Sequence, residues 1–504
     1  MNVYKSTGHA RVPAILTALF LLAACGQQEQ SSATSETEDS ALPDRVPVTT
    51  VSDEARVLYG AGLALADNLH FLEANETFAK AVEIDPGFAM GFLRLAQSSQ
   101  SATAFFRAVG LAEDNAKNGT EGEQLYILAL IAGAENDQDM QLEYLVSLMG
   151  MYPRDARTHM QLANYFTGQQ NFSDAVKHYG HATAINPEFA AAYNALGYAH
   201  RNHGDLADAR QAFSRYVELI PGEANPYDSY AELLLEMGEY DESIENYRKA
   251  IEIDPNFVSA YAGITIGQSL KGNAEAAQTA AAEMLAAARN SGQKQAAWFR
   301  SVTSHLFAGD LAAALEVSEQ RLVAAEADDN HVTMGVIREY MGDMVAVSGE
   351  GGKALELYAS ALEHRRQSNL NDANKAQAER TYLFKAAIAA MVDGDNETMA
   401  SRAAEYSAAA EVHGTAAERL RIHELSGYLA AVKGDFTASA AALEQANQLD
   451  PIVLYWSAVA NSGIGNTDKA KDLASRAAYR NTLSPNLPFF RIQAIQLLEE
   501  LEAD

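Results

Sequence analysis

Two adjoining segments of equal length decide the fold: residues 190–223, AAAYNALGYAHRNHGDLADARQAFSRYVELIPGE, and residues 224–257, ANPYDSYAELLLEMGEYDESIENYRKAIEIDPNF. In each segment, apolar residues recur at helical spacing on both sides of a glycine that is followed by an acid. Glycine accepts the left-handed backbone conformation that ends a helix, and the proline near the end of each segment stops the second helix. Each segment is therefore predicted to form two antiparallel helices.

The same period extends beyond these two segments. It is marked by prolines at equal spacing, Pro153, Pro187, Pro221 and Pro255, and by glycines at that spacing, Gly204, Gly238 and Gly272. Small residues are predicted to let paired helices approach closely, and they stand at Gly197, Ala209, Ala231 and Ala250. Aromatic residues are predicted to fill the space between neighbouring units, and they stand at Tyr193, Phe213, Tyr227 and Tyr247. A period of this length, with these positions, resembles the tetratricopeptide repeat (TPR).

The resemblance implies an all-α fold, a right-handed TPR-type α-solenoid of about twelve antiparallel helix pairs between residues 55 and 480. We expect an N-terminal array over residues 51–290 and a more degenerate array over residues 291–504, ending in a closing helix with a polar outer face. Longer joins are predicted near residues 325–334 and 364–379, where the spacing is interrupted.

The N-terminus predicts a secretory signal over residues 1–24. Lys5 and Arg11 precede an apolar run of about a dozen residues, which is short for a membrane span. The run ends in Leu-Ala-Ala before Cys25, which is the single cysteine of the chain. This arrangement resembles the lipobox of bacterial lipoproteins, and the resemblance implies that Cys25 is lipidated and becomes the first mature residue. An ordinary signal peptide with a chance cysteine is the alternative.

The predicted anchor has consequences for location. By the Gram-negative sorting pattern, Gly26 after the cysteine favours the bacterial outer membrane, and we expect the chain to face the periplasm. Residues 25–50 are polar, acidic and interrupted by Pro43 and Pro47, so they are expected to form a disordered tether behind the lipidated Cys25.

Composition excludes several function classes. The formal net charge is −30, which disfavours a nucleic-acid partner because phosphate binding needs clustered Lys and Arg. No HExxH, GxSxG or phosphate-binding glycine loop is present. One cysteine allows neither an internal disulfide nor a thiolate metal site. We therefore expect no enzyme, no catalytic residue and no cofactor.

Two histidine pairs are candidate metal ligands. His178 with His181, and His200 with His203, each share one helix face at i, i+3 spacing. No carboxylate or cysteine completes a ligand set in the sequence pattern, so no metal is expected and the histidines are interpreted as surface residues near turns.

The candidate site is the concave wall of the solenoid, which in TPR arrays is lined by the first helix of each unit. The family's groove positions map onto Arg157, Asn164, Asn194, Tyr198, Arg201, Asp228 and Glu232. Asparagine can hydrogen-bond a peptide backbone and arginine can bind a carboxylate in bidentate fashion. The lysines of the TPR carboxylate clamp are absent, and two acids lie in the third unit, so a peptide of mixed charge is favoured. Solvated polar residues on an inner face are the alternative.

These features predict a membrane-anchored TPR scaffold that binds protein or peptide partners in the bacterial cell envelope. Three alternatives stay open: a lipoprotein that captures glycans or nutrients, a regulatory sensor module, and an enzyme with its site in a long join. The sequence does not determine the oligomeric state.

Overall fold

A computed structural model describes residues 44–99, 101–479 and 486–503. The predicted signal peptide and Cys25 lie outside these residues. The described part contains 25 helices and no strand. The helices are α1 Asp53–Asp67, α2 Phe71–Ile84, α3 Ala89–Gln97, α4 Ala102–Ala116, α5 Glu121–Ala134, α6 Gln138–Met151, α7 Ala156–Gly168, α8 Phe172–Ile185, α9 Ala190–His203, α10 Leu206–Leu219, α11 Ala224–Glu236, α12 Tyr240–Ile253, α13 Val258–Leu270, α14 Ala274–Ala287, α15 Ser291–Phe307, α16 Leu311–Ala327, α17 His331–Val347, α18 Gly351–Gln367, α19 Asp372–Val392, α20 Asn396–His413, α21 Ala416–Val432, α22 Phe436–Leu443, α23 Pro451–Gly463, α24 Thr467–Tyr479 and α25 Leu487–Ala503.

The helices form a continuous stack of pairs. Each odd-numbered helix packs against the even-numbered helix that follows it, from α1 with α2 to α23 with α24, and each pair packs against the next. Within residues 44–503 as described, this gives twelve pairs and one further helix, so the predicted all-α solenoid is confirmed. The predicted division between two arrays falls between α14 and α15, which pack against each other as neighbours do elsewhere.

Among the described residues, the turns of eleven of the twelve pairs contain one residue with positive φ. Gly204, with φ of 102°, ends α9 and its backbone N–H donates to the carbonyls of the last helical turn. Glycine has positive φ at the matching turns from the fifth pair to the twelfth. Leu69, Asn136 and Gln170 take positive φ at the turns of pairs one, three and four, where the sequence provides no glycine. The turn geometry is thus set by the stacking, and glycine makes it less costly.

Close contact within a pair depends on small residues facing large ones. A Cβ atom added to Gly197 of α9 would lie 2.7 Å from the ring of Phe213 on α10. Ala209, Ala231 and Ala250 are each fully buried. The predicted role of these small positions is confirmed, because no larger side chain fits between the paired helices.

The predicted long joins are incorrect. Most residues near 325–334 and 364–379 are helical, and the connections that remain, 328–330 and 368–371, are short. The period is interrupted because the helices from α15 to α21 contain 17 to 21 residues, against 13 to 15 for most earlier ones. The part of the stack from α15 to α21 is therefore built from longer helices rather than from pairs separated by loops.

The closing helix does more than cover the end of the array. α25 packs on α24 and α23, as an end cap would, and its first turn also contacts α15. Leu487 is buried in the cluster that contains Tyr247 and Ile264, and the Phe489 ring lies 5.3 Å from that of Tyr340. The start of α25 therefore lies on the inner side of the stack and joins pairs that are far apart in sequence.

Candidate binding surface

The predicted groove residues lie on α7, α9 and α11, the first helices of three consecutive pairs. Contacts between α9 and α11 align them: the Tyr198 hydroxyl donates to Glu232 Oε2 at 3.0 Å, and Arg201 Nη1 donates to Glu232 Oε1 at 2.7 Å. A second carboxylate, on Glu236, lies 3.4 Å from Arg201 Nε. The structure thus brings these three side chains together, but as an internal network rather than as free ligand-binding groups.

Arg157 is likewise occupied by a residue of the chain itself. Its guanidinium donates to both carboxylate oxygens of Asp67, at 2.6 and 2.7 Å, across 90 positions of sequence. Asp67 ends α1, and α1 also packs against α9. The first pair therefore contacts the inner helices of the fourth and fifth pairs. Arg157, predicted from the sequence to bind a ligand carboxylate, instead binds the Asp67 carboxylate of the same chain in bidentate fashion.

The remaining predicted groove residues differ in their hydrogen-bond partners and in their charge. Asn164 Oδ1 accepts a hydrogen bond from the Tyr179 hydroxyl at 2.6 Å. Asn194 Oδ1 is buried and, within the described part of the chain, accepts none. Burial and, secondarily, the nearby Glu232 carboxylate raise the pKa of Asp228 to about 7. The acidic character expected of this unit is therefore reduced near neutral pH.

Arg94 was missed in the sequence and is the most informative charge on the inner side. It stands in the apolar helix α3, AMGFLRLAQ, and is only 8% exposed. Its guanidinium donates to Gln97 Oε1 at 2.7 Å and to the Tyr126 hydroxyl at 3.1 Å, and it lies 4.8 Å from the centre of the Tyr126 ring. Among the described residues, no carboxylate lies within ion-pair distance of it. An arginine inside an apolar helix was the available signal.

Two cavities adjoin Arg94. The larger, about 670 Å³, is bounded by α1, α3 and α7 and by residues 44–48. The smaller, about 310 Å³, has a wall of aromatic and hydrogen-bonding side chains that includes Phe71, Phe78, Gln97, Gln161, Asn164 and Phe189. Both volumes are in the range of sites that hold a ligand or the side chains of a peptide.

The predicted disordered tether is corrected at its C-terminal end. The Val46 N–H donates to Asp155 Oδ2 at 3.0 Å, and the Thr49 N–H donates to Glu123 Oε1 at 2.7 Å. The Thr50 hydroxyl and the Val51 N–H both donate to Asp85 Oδ2. Asp155 and Glu123 lie at the starts of α7 and α5, and Asp85 lies between α2 and α3. Residues 46–51, which we call the strap, therefore cross three pairs and border the larger cavity. The polar, acidic composition predicts disorder here. Composition carries no information on hydrogen bonds between backbone N–H groups and carboxylates that are distant in sequence.

His178 and His181 also acquire a neighbour that the sequence did not predict. His159 Nδ1 lies 3.2 Å from His178 Nδ1, and His159 Nε2 lies 3.0 Å from the Pro153 carbonyl oxygen. A carbonyl only accepts, so neutral His159 carries its proton on Nε2 and accepts the His178 Nδ1–H. Burial, and then His159, lowers the pKa of His178 to about 4, which keeps the pair neutral. We interpret the pair as a structural link between α7 and α8.

A third, smaller cavity lies in the C-terminal half. Its volume is about 100 Å³, and aromatic residues of α23 and α25, including Trp456, Phe489 and Phe490, enclose it. Lys385 Nζ donates to Asp343 Oδ1 at 2.7 Å, so this charge pair is internally satisfied. Because this cavity holds only about 100 Å³, the N-terminal cavities are the better candidate for a partner.

Comparison with known proteins agrees with the geometry of the stack. Residues 160–224 match a tetratricopeptide repeat family model and residues 231–264 match a TPR repeat model, so TPR units are present from α7 to α13. The chain is 31% identical over 93 residues to Hsp70-Hsp90 organizing protein 2 of Arabidopsis thaliana, covering 18% of this chain and 16% of that protein.

Two further similarities are more remote. The chain is 22% identical over 291 residues to the protein CTR9 homolog of Arabidopsis thaliana, covering 47% of this chain and 26% of that protein. A tetratricopeptide repeat protein from Parabacteroides merdae aligns over 52% of this chain and 98% of its own, at 14% identity and a TM-score of 0.39. This chain thus spans 16% and 26% of the two curated relatives' lengths.

Proposed function

We propose that this chain is a lipid-anchored TPR scaffold of the bacterial outer membrane that binds a peptide segment of another envelope protein between α1, α3 and α7. One observation carries the proposal: the buried Arg94, without a carboxylate partner among the described residues, lies between two cavities with aromatic and amide-bearing walls. The TPR units that adjoin these cavities support a binding function rather than an enzymatic one.

The chemistry of the partner follows from Arg94. A buried guanidinium without a counter-charge is costly, and a carboxylate that reaches it gains a charge-assisted hydrogen bond in a site of low polarity. The apolar surfaces of Phe71, Phe78 and Phe189 adjoin the same space. We therefore expect a segment with one carboxylate between apolar side chains. Its backbone would be bound by amides such as Gln97 and Asn164.

The network of Tyr198, Arg201 and Glu232 supports the surface without contacting the ligand in this proposal. Its groups bond one another across α9 and α11, and so fix the spacing between consecutive inner helices. Replacing Arg201 is expected to weaken partner binding only indirectly, by removing the cation that neutralises the Glu232 and Glu236 carboxylates.

Site-specific photo-crosslinking in living cells tests the binding surface. A photoreactive amino acid at Gln97, an exposed residue at the edge of the smaller cavity, is expected to form an adduct with a partner. The matched control is Lys249, which is exposed on α12, a second helix of its pair, and is expected to form none. The Arg94→Met variant keeps an unbranched apolar side chain, removes the guanidinium charge, and is expected to abolish the adduct at position 97.

Two results would contradict this proposal. Adducts of equal yield at positions 97 and 249 would show that the cavities have no special role. An adduct at position 97 that persists in Arg94→Met would show that the guanidinium does not recognise the partner. Normal circular dichroism of Arg94→Met is required before either result is interpreted.

The anchor rests on the lipobox-like residues before Cys25 and is tested separately. Among the described residues, no helix combines the length and the apolar character needed to cross a bilayer. In the proposal, acyl chains on Cys25 attach the protein to the membrane. More than one acyl chain is needed, because a single chain binds a bilayer only weakly. Cys25→Ser is expected to lose incorporation of an alkyne-labelled fatty acid and to move to the soluble fraction. A Cys25→Ser protein that still sediments with membranes would refute the lipid anchor.

A further inference from the structure

The turn between α9 and α10 collects four side chains that can bind a metal. His200 and His203 lie in the last turn of α9, Asp205 precedes α10, and Asp208 lies in its first turn. Gly204, with its positive φ, reverses the chain between them, so residues separated by only a few positions face one another. One nitrogen of His200 and one oxygen each of Asp205 and Asp208 lie within 4.8 Å of one another.

Asp205 behaves differently from the equivalent aspartates of the same chain. Asp310, Asp395 and Asp435 also follow a glycine with positive φ, and each side chain caps its helix by accepting from a backbone N–H. Asp205 makes no such cap. Its Oδ2 instead lies 2.8 Å from His203 Nδ1 and 3.5 Å from His200 Nδ1. The carboxylate thus forgoes the stabilising helix cap that its counterparts make.

His200 supplies a further observation. Its Nδ1 lies 3.5 Å from Asp205 Oδ2 and, in the described part of the chain, this buried atom makes no shorter hydrogen bond. A buried nitrogen with only so long a contact is poorly stabilised. A cation between His200, Asp205 and Asp208 satisfies the nitrogen and both carboxylates at once.

We propose that His200, Asp205 and Asp208 bind one divalent transition-metal ion, with Zn²⁺ as the reference. An imidazole nitrogen with two carboxylate oxygens is a set that zinc and its neighbours accept, whereas magnesium and calcium prefer oxygen ligands alone. His203 is a positioning residue, since its Nδ1–H donates to Asp205 and orients that carboxylate. The exposed side of the cluster leaves room for water in the remaining coordination positions.

The site would have a structural effect on the neighbouring surface. α9 also carries Tyr198 and Arg201, whose bonds to α11 hold consecutive inner helices in register. A metal at the C-terminal end of α9 would fix the turn of the fifth pair. This inference does not depend on the identity of any partner, and it holds or fails independently of the proposed function.

Calorimetric titration of the purified full chain with ZnCl₂ tests the proposal, with MgCl₂ as the comparison ion. His200→Gln and Asp205→Asn remove ligands and keep side-chain size. The chain provides a matched control turn, because His305, Gly309 and Asp310 repeat the same spacing between α15 and α16, yet Asp310 caps the Ala313 N–H. His305→Gln and Asp310→Asn therefore perturb the same type of turn without the metal set.

We expect one Zn²⁺ class that is lost in His200→Gln and Asp205→Asn and is retained in both control variants. His203→Ala is expected to weaken binding about 10-fold, as loss of a residue that orients a ligand typically does. Zinc should also raise the thermal midpoint of the parent chain but not that of Asp205→Asn, since only a bound ligand stabilises the folded state.

Two results would overturn the proposal. One is a parent chain that shows no saturable zinc binding. The other is a zinc isotherm that is unchanged in His200→Gln and Asp205→Asn while their circular dichroism remains that of the parent. In that second case zinc would bind at another histidine cluster, such as His159 with His178, and the α9–α10 turn would be only an ion pair.

Discussion

The pH dependence of the C-terminal half is set by Glu424, a fully enclosed carboxyl on α21. Burial is the main cause that raises its pKa from 4.5 to about 7, and the nearby Asp450 carboxylate adds to it. Arg421 and the Tyr428 hydroxyl, which donates to Glu424 Oε1 at 2.9 Å, oppose the shift. Between pH 4.5 and about 7 the folded protein therefore holds a proton on Glu424 that the unfolded chain releases.

The sign of the effect follows from this difference. Because the folded state binds the proton more tightly, the stabilising contribution is complete below pH 4.5 and is lost as pH rises through about 7. One pKa unit corresponds to about 1.4 kcal/mol, so at pH 8 the ionised carboxylate costs the local structure about 3 kcal/mol. The variant Glu424→Gln keeps an oxygen that accepts from Tyr428 and removes the charge.

Amide hydrogen exchange of α21 to α23 measures this local stability directly. The ratio of protection factors, Glu424→Gln over the parent, is expected to rise from a few-fold at pH 5 to about 100-fold at pH 8. Comparison at equal pH cancels the intrinsic exchange rate. Glu411→Gln, at an exposed position of α20, is the matched control and should show no such rise. A ratio for Glu424→Gln that does not change between pH 5 and pH 8 would refute the reasoning.

Further predictions concern packing and buried charge. Gly263→Ala should lower the thermal midpoint, because its Cβ would lie 2.1 Å from the Tyr247 ring, and overpacking costs about 1–3 kcal/mol. Gly110→Ala, where no atom lies within 4 Å of the added Cβ, should instead raise the midpoint through about 0.5–1 kcal/mol of helix preference. Arg380→Ala should cost about 3–5 kcal/mol in urea unfolding, because it removes the cation that pairs with the buried Glu418 carboxylate. Replacing Arg380 and Glu418 together with apolar residues should recover much of that loss, and a double variant as unstable as Arg380→Ala would contradict this.

On the candidate surface, the sequence predicts the helix that carries each residue but not the partner that each residue binds. The mapping predicts Arg157, Tyr198 and Arg201 on the first helices of their pairs, and these residues lie on α7 and α9. It could not show that Asp67 would take the Arg157 guanidinium, because these residues are 90 positions apart and meet only when the stack curves. Arg94 lies in a pair whose repeat pattern is degenerate, so no family position identified it.

Local patterns alone determined the pairs. Gly204 and Pro221 mark a turn and a boundary through backbone sterics, and small residues such as Ala209 mark close helix contacts, all within one unit of sequence. Curvature of the stack determines the contacts between distant pairs, since small rotations between successive pairs accumulate until those pairs touch. That accumulation brings Asp155 and Glu123 to the strap and Leu487 to the inner side of the seventh pair. No short-range pattern encodes these contacts, because each depends on the summed geometry of every pair between the two residues.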